Sequence, residues 1–338
     1  MKDLREQILE ISRQNKIGEM SPWFLERLNE NLGTTFLSEG DLIRVNQGII
    51  EFLKKYSSTF SVNDVVVGMS GGVDSALTAA LFKNAGWTVH GVTMPIYQNP
   101  SETAKGQLAI DSLGIKGYEI NLTKMYENFL FAQAPLDNQI WEEENTDKSV
   151  LIRRGNIRAR LRMITLYNLA AKVGGLVAST DNFSELSSGF WTLHGDVGDL
   201  SPIQSLYKSW EVPMLAKLNH VPEEIWRATP TDGLGIDSGD ESQFGFSYLE
   251  LDIILAELQK LHDKNNLRCY GFDKLKRCVK IKEGTREDAI FDLVTARMKS
   301  TWFKRKNPYN LEHPVELNRR YDFLETFDCH YSVSKLEE

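Results

Sequence analysis

The order of elements predicts an α/β fold: a doubly wound parallel sheet with helices on both faces. Three observations carry this prediction. Strand-like and helix-like stretches alternate with short connections from residue 42 to residue 179. The strand-like stretches are short apolar runs such as Val65-Val66-Val67 and Leu176-Val177-Ala178, as in parallel strands buried on both faces. The run at Val65 breaks at Ser70-Gly71-Gly72 and resumes as a helix, the turn by which such sheets present a ligand site at their carboxyl edge.

Taken in order, Leu4, Ile8 and Ile11, then Phe24, Leu25 and Leu28, predict two short amphipathic helices broken near Gly18 and Pro22. They form an extension over 1–41 with a packing or dimer-contact role. Leu42, Val45, Ile49, Ile50 and Leu53 recur at helical spacing and predict a helix over 42–56. A strand at 65–67, a helix over 76–84, a strand over 88–94 after Gly86, a helix over 101–113 and a strand over 117–120 follow. A long helix over 156–173 leads to a short strand over 175–179. Pro222 opens a short helix to Arg227. The stretch 229–247, with Asp232, Gly233, Gly235, Asp237 and Gly239, reads as a long loop. Helices over 248–261 and 287–304 close the main domain, 42–310, and a polar tail covers 311–338.

Composition narrows the function. The 338 residues suffice for a real core, and 41% hydrophobic with 25% charged residues is ordinary for a globular protein. A net charge of −8 argues against a general nucleic-acid binder. Cys269, Cys278 and Cys329 lack metal spacing and an even count, so they read as free thiols in a reducing compartment. No apolar run reaches membrane-spanning length, and the charged start Met1-Lys2-Asp3-Leu4-Arg5-Glu6 does not read as a signal peptide. The expected location is the cytoplasm.

The stretch Gly68, Met69, Ser70, Gly71, Gly72, Val73, Asp74, Ser75 is the chemical centre. Glycines let backbone N–H groups turn inward, the following helix adds its positive end, and Ser70 and Ser75 add hydroxyls. This is a cradle for a phosphate chain, with Asp74 placed for a Mg²⁺ on those phosphates. It lacks the lysine of the P-loop spelling. Met94 and Thr180 stand at two further strand ends and so face the same space. Glu185, near Thr180, is a second Mg²⁺ candidate. Arg153, Arg154, Arg158, Arg160 and Arg162 form a basic stretch suited to an anionic ligand, with Arg154, Arg158 and Arg162 on one helix face. Asp196 and Asp199 lie between glycines, where turn roles compete with chemical ones. The loop 229–247 is expected to act as a lid that orders when the phosphate-bearing ligand binds.

The wording Ser70-Gly71-Gly72-Val73-Asp74-Ser75 resembles the pyrophosphate loop of the ATP pyrophosphatases. With it, and in order, come Gly155-Asn156-x-Arg158-Ala159-Arg160-x-Arg162-Met163, Ser179-Thr180-Asp181, Glu185, Gly189-Phe190, Gly195-Asp196, Pro202 and Lys208. Pro230-Thr231-Asp232 and the acidic run from Asp240-Glu241 to Leu251-Asp252 complete the set. Together they resemble the ammonia-dependent NAD⁺ synthetases over roughly residues 42 to 310. The resemblance implies a Rossmann-like sheet of the ATP pyrophosphatase type. It implies that residues 68–75 with Met94, Thr180, Lys208 and Thr231 bind ATP, and that Asp74 and Glu185 hold Mg²⁺. Arg160, Asp199, Phe303 and Lys304 fall on deamido-NAD⁺ positions. Three residues depart from the family: Phe303 stands for a histidine, Leu193 for a lysine and Thr93 for an arginine.

The reaction implied is a ligation. The nicotinic acid carboxylate attacks the α-phosphate of ATP, pyrophosphate leaves, and ammonia converts the acyl-adenylate to NAD⁺ and AMP. The protein supplies orientation, and a positive field through Mg²⁺ held by Asp74 and Glu185, the loop amides and Lys208. Asp196 is the candidate to hold ammonium and take its proton. The short extension without a cysteine predicts free ammonia rather than an internal glutaminase. The resemblance also implies a homodimer. The rivals are another adenylating amidotransferase of the same group acting on a different nucleotide, and a non-catalytic nucleotide-binding regulator.

Overall fold

A computed structural model describes residues 3–13, 19–140, 142, 147–231, 239–265 and 272–305. Met1–Trp302 forms one compact unit, and the chain from Phe303 forms a second. Of the latter, Phe303, Lys304 and Arg305 are described, in the one-turn 3-10 helix Trp302–Arg305.

The first unit opens with helices α1 (Leu4–Arg13), α2 (Pro22–Asn31) and α3 (Glu39–Phe60). Pro22 sits in the first turn of α2, where its missing N–H costs nothing. Ser38 caps α3 in a reciprocal box with Asp41. Strand β1 (Asp64–Gly68) leads through the glycine turn into α4 (Val73–Asn84). Strand β2 (Thr88–Thr93), α5 (Pro100–Leu113), β3 (Lys116–Glu119), α6 (Thr123–Gln133), α7 (Lys148–Val173) and β4 (Leu176–Val177) follow. The strands pair in parallel in the order β3-β2-β1-β4. From β1 the chain thus builds outward on one side through β2 and β3, then returns to add β4 on the other. The crevice between β1 and β4 is the reversal point at which doubly wound sheets bind ligands.

Both faces of the sheet are covered along β1 and β2, whereas the edge strand β3 is exposed at all four of its positions, contrary to the expectation of full coverage. Along β1 the side chains alternate: Val65 and Val67 join one buried cluster with Ala76, Leu77 and Leu81 of α4, while Val66 joins another with Val92, Leu161 and Ala170. The N-terminal helices belong to the first cluster, for Ile8, Phe24 and Leu28 are fully buried in it. Asn31 of α2 also donates to Glu257 at 2.8 Å.

After β4 come α8 (Phe183–Ser188), α9 (Glu211–Leu218), α10 (Glu223–Trp226), α11 (Asp240–Phe244), α12 (Tyr248–Asn265), α13 (Phe272–Cys278) and α14 (Arg286–Ser300). Several expectations need correction. Helix α7 starts eight residues before the predicted 156, because Asp147 caps it by accepting from the N–H groups of Ser149 and Val150. Helices α6, α9 and α13 were not anticipated. The final helix ends at Ser300, and the chain tightens into the 3-10 turn. The presumed single loop over 229–247 contains α11, whose Phe244 stacks on Phe246 at 5.3 Å and buries that part of the segment. Residues 232–238 lie outside the described residues, as do Cys269, Cys329, Lys306, Asn307, Pro308 and the tail 311–338. Cys278 is an exposed free thiol.

Candidate active site

At the carboxyl edge of β1 and β4 lies a cavity of about 480 Å³. The glycine turn forms its floor. Gly71 has φ +88°, and a Cβ there would meet the Glu102 carbonyl oxygen at 2.4 Å, so only glycine fits between this loop and α5. Gly106 on α5 makes the reciprocal approach, since its Cβ would lie 2.7 Å from the Met69 carbonyl oxygen. The first N–H groups of α4 open toward the cavity, and Ser70 and Ser75 lie 3.2 Å apart beside them.

Three charged side chains converge at one end. The Lys208 ammonium is bonded to Asp74 and lies 3.5 Å from Glu185. Asn182 holds both acids. Its amide donates to the Asp74 carboxylate at 3.0 Å. It also caps α8 in a reciprocal box: its side-chain oxygen accepts from the Glu185 N–H at 3.0 Å, and Glu185 accepts from the Asn182 N–H at 3.3 Å. Burial pushes the Glu185 carboxyl well up, and the nearby Asp74, Asp181 and Asp240 reinforce that against the pull of Lys208. Burial alone would make the Lys208 ammonium easier to deprotonate. Asp74 and Glu185 outweigh it, so the ammonium is held more firmly charged than an ordinary lysine. The Tyr248 ring lies 5.7 Å from the same ammonium.

Every residue expected on the ATP side lines this cavity: 68–75, Met94, Thr180, Lys208 and Thr231. Glu185 and Asp196 line it too. Thr231 donates to Glu102 at 3.2 Å. Asp196 accepts from the Thr192 N–H at 2.5 Å, so its carboxylate is anchored to the turn preceding it. Of the four deamido-NAD⁺ positions, Arg160 and Asp199 do not line this cavity. The Arg160 guanidinium donates to the Leu193 carbonyl at 3.1 Å and faces a separate cavity of about 590 Å³ with Phe129, Leu136 and Asn156. Leu193 therefore meets Arg160 through its backbone. Asp199 accepts from the Val177 N–H at 2.8 Å and from the Tyr167 hydroxyl at 3.0 Å, a bracket beside β4. Thr93 is buried between β2 and β3, 3.4 Å from the Tyr118 carbonyl. Phe303 and Lys304 belong to the second unit.

The arginine stretch divides by depth. Arg154 is buried and donates to the Ile140 carbonyl at 3.0 Å, a structural tie. Arg158 lies over the Tyr126 ring at 5.2 Å. Arg162 reaches the cavity, where it donates to the Met94 carbonyl at 3.1 Å. Burial and the adjacent Arg158 lower it to about 10, still charged at neutral pH. The sequence offers Arg162 only as one of five arginines suited to an anionic ligand, and Asn182 not as a site residue. Periodicity placed Arg162 on a face but not which end of that face meets the sheet edge. Asn182 carried only a cap signal, Asn followed three residues later by Glu.

The two carboxylates test the Mg²⁺ expectation. Asp74 and Glu185 reach a common cation, the Lys208 ammonium, and offer the hard oxygens that magnesium takes. Among the described residues no group of three or more His, Cys, Asp or Glu forms a metal cluster. The donor set of the pair, two carboxylates, fits a magnesium ion.

A family model described as NAD synthase matches residues 45–308. The chain belongs to the NAD synthase family. An NH(3)-dependent NAD(+) synthetase of Finegoldia magna is 33% identical over 263 residues, covering 77% of this chain and 97% of the relative. One of Pelodictyon phaeoclathratiforme is 36% identical over 228 residues, covering 66% and 77%. Among solved structures, an NMN synthetase of Francisella tularensis superposes with a TM-score of 0.64 at 26% identity, over 80% of this chain and 99% of that one. An NH3-dependent NAD synthetase of Campylobacter jejuni, in complex with the nitrate ion, gives 0.58 at 27% identity over the same shares. Family membership makes this chain a C–N bond-forming ligase that uses ATP. The parallel sheet and its reversal point are the architecture the family shares.

Proposed function

We propose that the protein converts deamido-NAD⁺ to NAD⁺, using ATP and ammonia and releasing AMP and pyrophosphate. The observation that carries this is the convergence of Asp74, Glu185 and Lys208 beside a glycine cradle in one cavity. Such a site needs no protein nucleophile, because the substrate carboxylate attacks the α-phosphorus. The cradle amides and Ser70 and Ser75 bind the departing pyrophosphate. Lys208 and Arg162 offset the charge that builds on it. Asp74 and Glu185 would hold Mg²⁺, which when bound offsets further charge on the phosphates. The pyridine nucleotide carboxylate approaches from the Asp196 side of the cavity. There Asp196 accepts a proton from the attacking ammonia as the amide forms and AMP departs. Met94, Thr180 and Thr231 frame the nucleoside.

Arg160, Asp199, Phe303 and Lys304 are assigned to the dinucleotide. Arg160 faces the 590 Å³ cavity rather than the ATP site, and that cavity is lined by the exposed apolar side chains Phe129 of α6 and Leu136 just beyond it, while α7 exposes Ile152 and Ile164. That surface supports a homodimer in which this face is shared between two copies. The catalytic domain is taken as 42–310, and the location as cytoplasmic; among the described residues no helix is long and apolar enough to cross a membrane.

The test is release of AMP and pyrophosphate that requires both deamido-NAD⁺ and ammonium. Release of AMP with neither present would contradict the proposal, as would an Asp74→Ala protein that still makes amide. The likeness to an NMN synthetase supports a second substrate, the nicotinate mononucleotide, which carries the same carboxylate. Comparing kcat/KM on the two nucleotides decides between them.

A further inference from the structure

We infer that Asp252 is a positioning residue for adenylation. Its carboxylate, deep in the core, ties together the two separate segments that carry Glu185 and Lys208. The inference rests on the proposed function in taking those two side chains as the charged end of the ATP site.

Asp252 lies on α12 and is fully buried, as is Ser184 on α8. One carboxylate oxygen accepts from the Ser184 hydroxyl at 2.5 Å, and the other from the Ser209 N–H at 3.0 Å. The Ser184 oxygen in turn accepts from the Lys208 N–H at 3.0 Å. The polarity is consistent throughout: the hydroxyl donates to the acid and receives from the backbone. Ser184 precedes Glu185, and Ser209 follows Lys208. The strap therefore closes on the residues beside each functional side chain and fixes their two backbones against each other. Farther up α12, Tyr248 places its ring against the Lys208 ammonium. The helix is itself held at its start, where Glu250 accepts from the Ser247 N–H at 2.9 Å and pairs with Arg286 at 2.9 Å.

A buried acid with neutral donors as its nearest partners is a costly way to fill a core. Burial raises the Asp252 carboxyl to about 7. That cost is understandable if a bidentate acceptor is what holds two chain segments in register. Lys208 needs such a hold because its ammonium must meet Asp74 and Glu185 together while its long stem could adopt many rotamers.

The experiment compares Ser184→Ala, Ser184→Cys and Asp252→Asn with the wild-type protein. Ser184→Ala removes the link, and Ser184→Cys leaves a poor hydrogen-bonding atom in its place. Asp252→Asn keeps an acceptor for the Ser209 N–H, but its amide nitrogen can only donate to Ser184, whose hydroxyl proton is then left buried without the carboxylate that accepts it. Steady-state kinetics are read alongside acylation of Lys208 by an amine-reactive reagent without nucleotide, followed by mass spectrometry. For Ser184→Ala, kcat/KM for ATP is expected to fall about tenfold or more, the scale of a lost buried hydrogen bond. Its KM for the pyridine nucleotide is expected to hold and its Lys208 to be acylated faster. Ser184→Cys and Asp252→Asn should both move the same way. If Ser184→Ala does not fold, Ser184→Cys decides. Folded serine variants with wild-type ATP KM and wild-type Lys208 acylation would overturn the inference. So would an Asp252→Asn protein that loses turnover while its Lys208 stays protected. Wild-type protein that binds ATP but makes no amide would instead refute the proposed function, and the acylation comparison would still judge the strap.

Discussion

The Asn182 amide donates to the Asp74 carboxylate at 3.0 Å, across 108 positions of sequence. The same side chain caps the helix that carries Glu185. One polar residue therefore sets the spacing of the two acids on which the cation site depends.

Asn182→Ala should weaken both functions at once. Loss of the cap costs about 1 kcal/mol and lowers the melting temperature by a few degrees. Release of Asp74 lowers kcat/KM for ATP by roughly tenfold for each 1.4 kcal/mol lost. Asn182→Asp keeps an acceptor for the cap but sets a third acid beside Asp74 and Glu185, so stability should partly return while activity does not. Melting curves and ATP titrations on the two variants check this; an Asn182→Asp protein of normal activity would contradict it.

Lys208 occupies the place between Asp74 and Glu185 that a divalent ion would take. Free Mn²⁺, as a probe for Mg²⁺, should bind the wild-type protein poorly without nucleotide and well with ATP, which brings phosphate oxygens to complete the shell. Lys208→Met removes the competing cation and should let Mn²⁺ bind alone. Electron paramagnetic resonance of free Mn²⁺ measures both. Equal nucleotide-free binding in the two proteins would show that the lysine does not compete.

Gly71→Ala should abolish ATP-dependent turnover. The added Cβ would meet the Glu102 carbonyl at 2.4 Å, and the residue already has φ +88°. Backbone strain of about 1–3 kcal/mol should appear as lower thermal stability. Gly86→Ala is the control, because φ there is also positive, at +86°, but nothing lies within 4 Å. It should lose stability without losing ATP affinity.

Stability should fall as pH rises from about 4 toward 8. Burial raises Asp252 to about 7, and Glu211 and Glu241 to about 8, from ordinary values of 3.8, 4.5 and 4.5. Between those limits the folded protein holds protons that the unfolded chain has released, so raising the pH favours unfolding. The favourable contribution is complete below the unfolded values and gone above the folded ones. Glu211→Gln, whose backbone partner is the Tyr207 N–H at 2.9 Å, should flatten part of the slope. Melting temperatures across this range would measure it, and a flat or rising profile would contradict it.

Much of this was legible in the amino-acid order because the signals were local. Three valines, a glycine pair and an apolar helix specify strand, turn and helix through steric rules acting over a few residues. Their strand ends, Ser70, Met94 and Thr180, then had to share one edge of a parallel sheet. What stayed hidden was non-local or polar. Helix α9 follows a turn rather than a strand, and burial of Phe244 turned part of an expected loop into α11. Arg154, Arg158 and Arg162 have the same spacing, yet one binds carbonyls, one covers a ring and one reaches the cavity.

By itself, then, the sequence determined the parallel α/β scaffold, the phosphate cradle and the kind of charge placed near it. Only the tertiary structure decided that Lys208 lies between Asp74 and Glu185, that Asn182 and Asp252 hold them there, and that Arg160 opens onto a different cavity from the ATP site. The physical reason is that side-chain periodicity is set by the backbone of one element. Distances between residues dozens of positions apart depend instead on how several elements pack, and no local pattern records them.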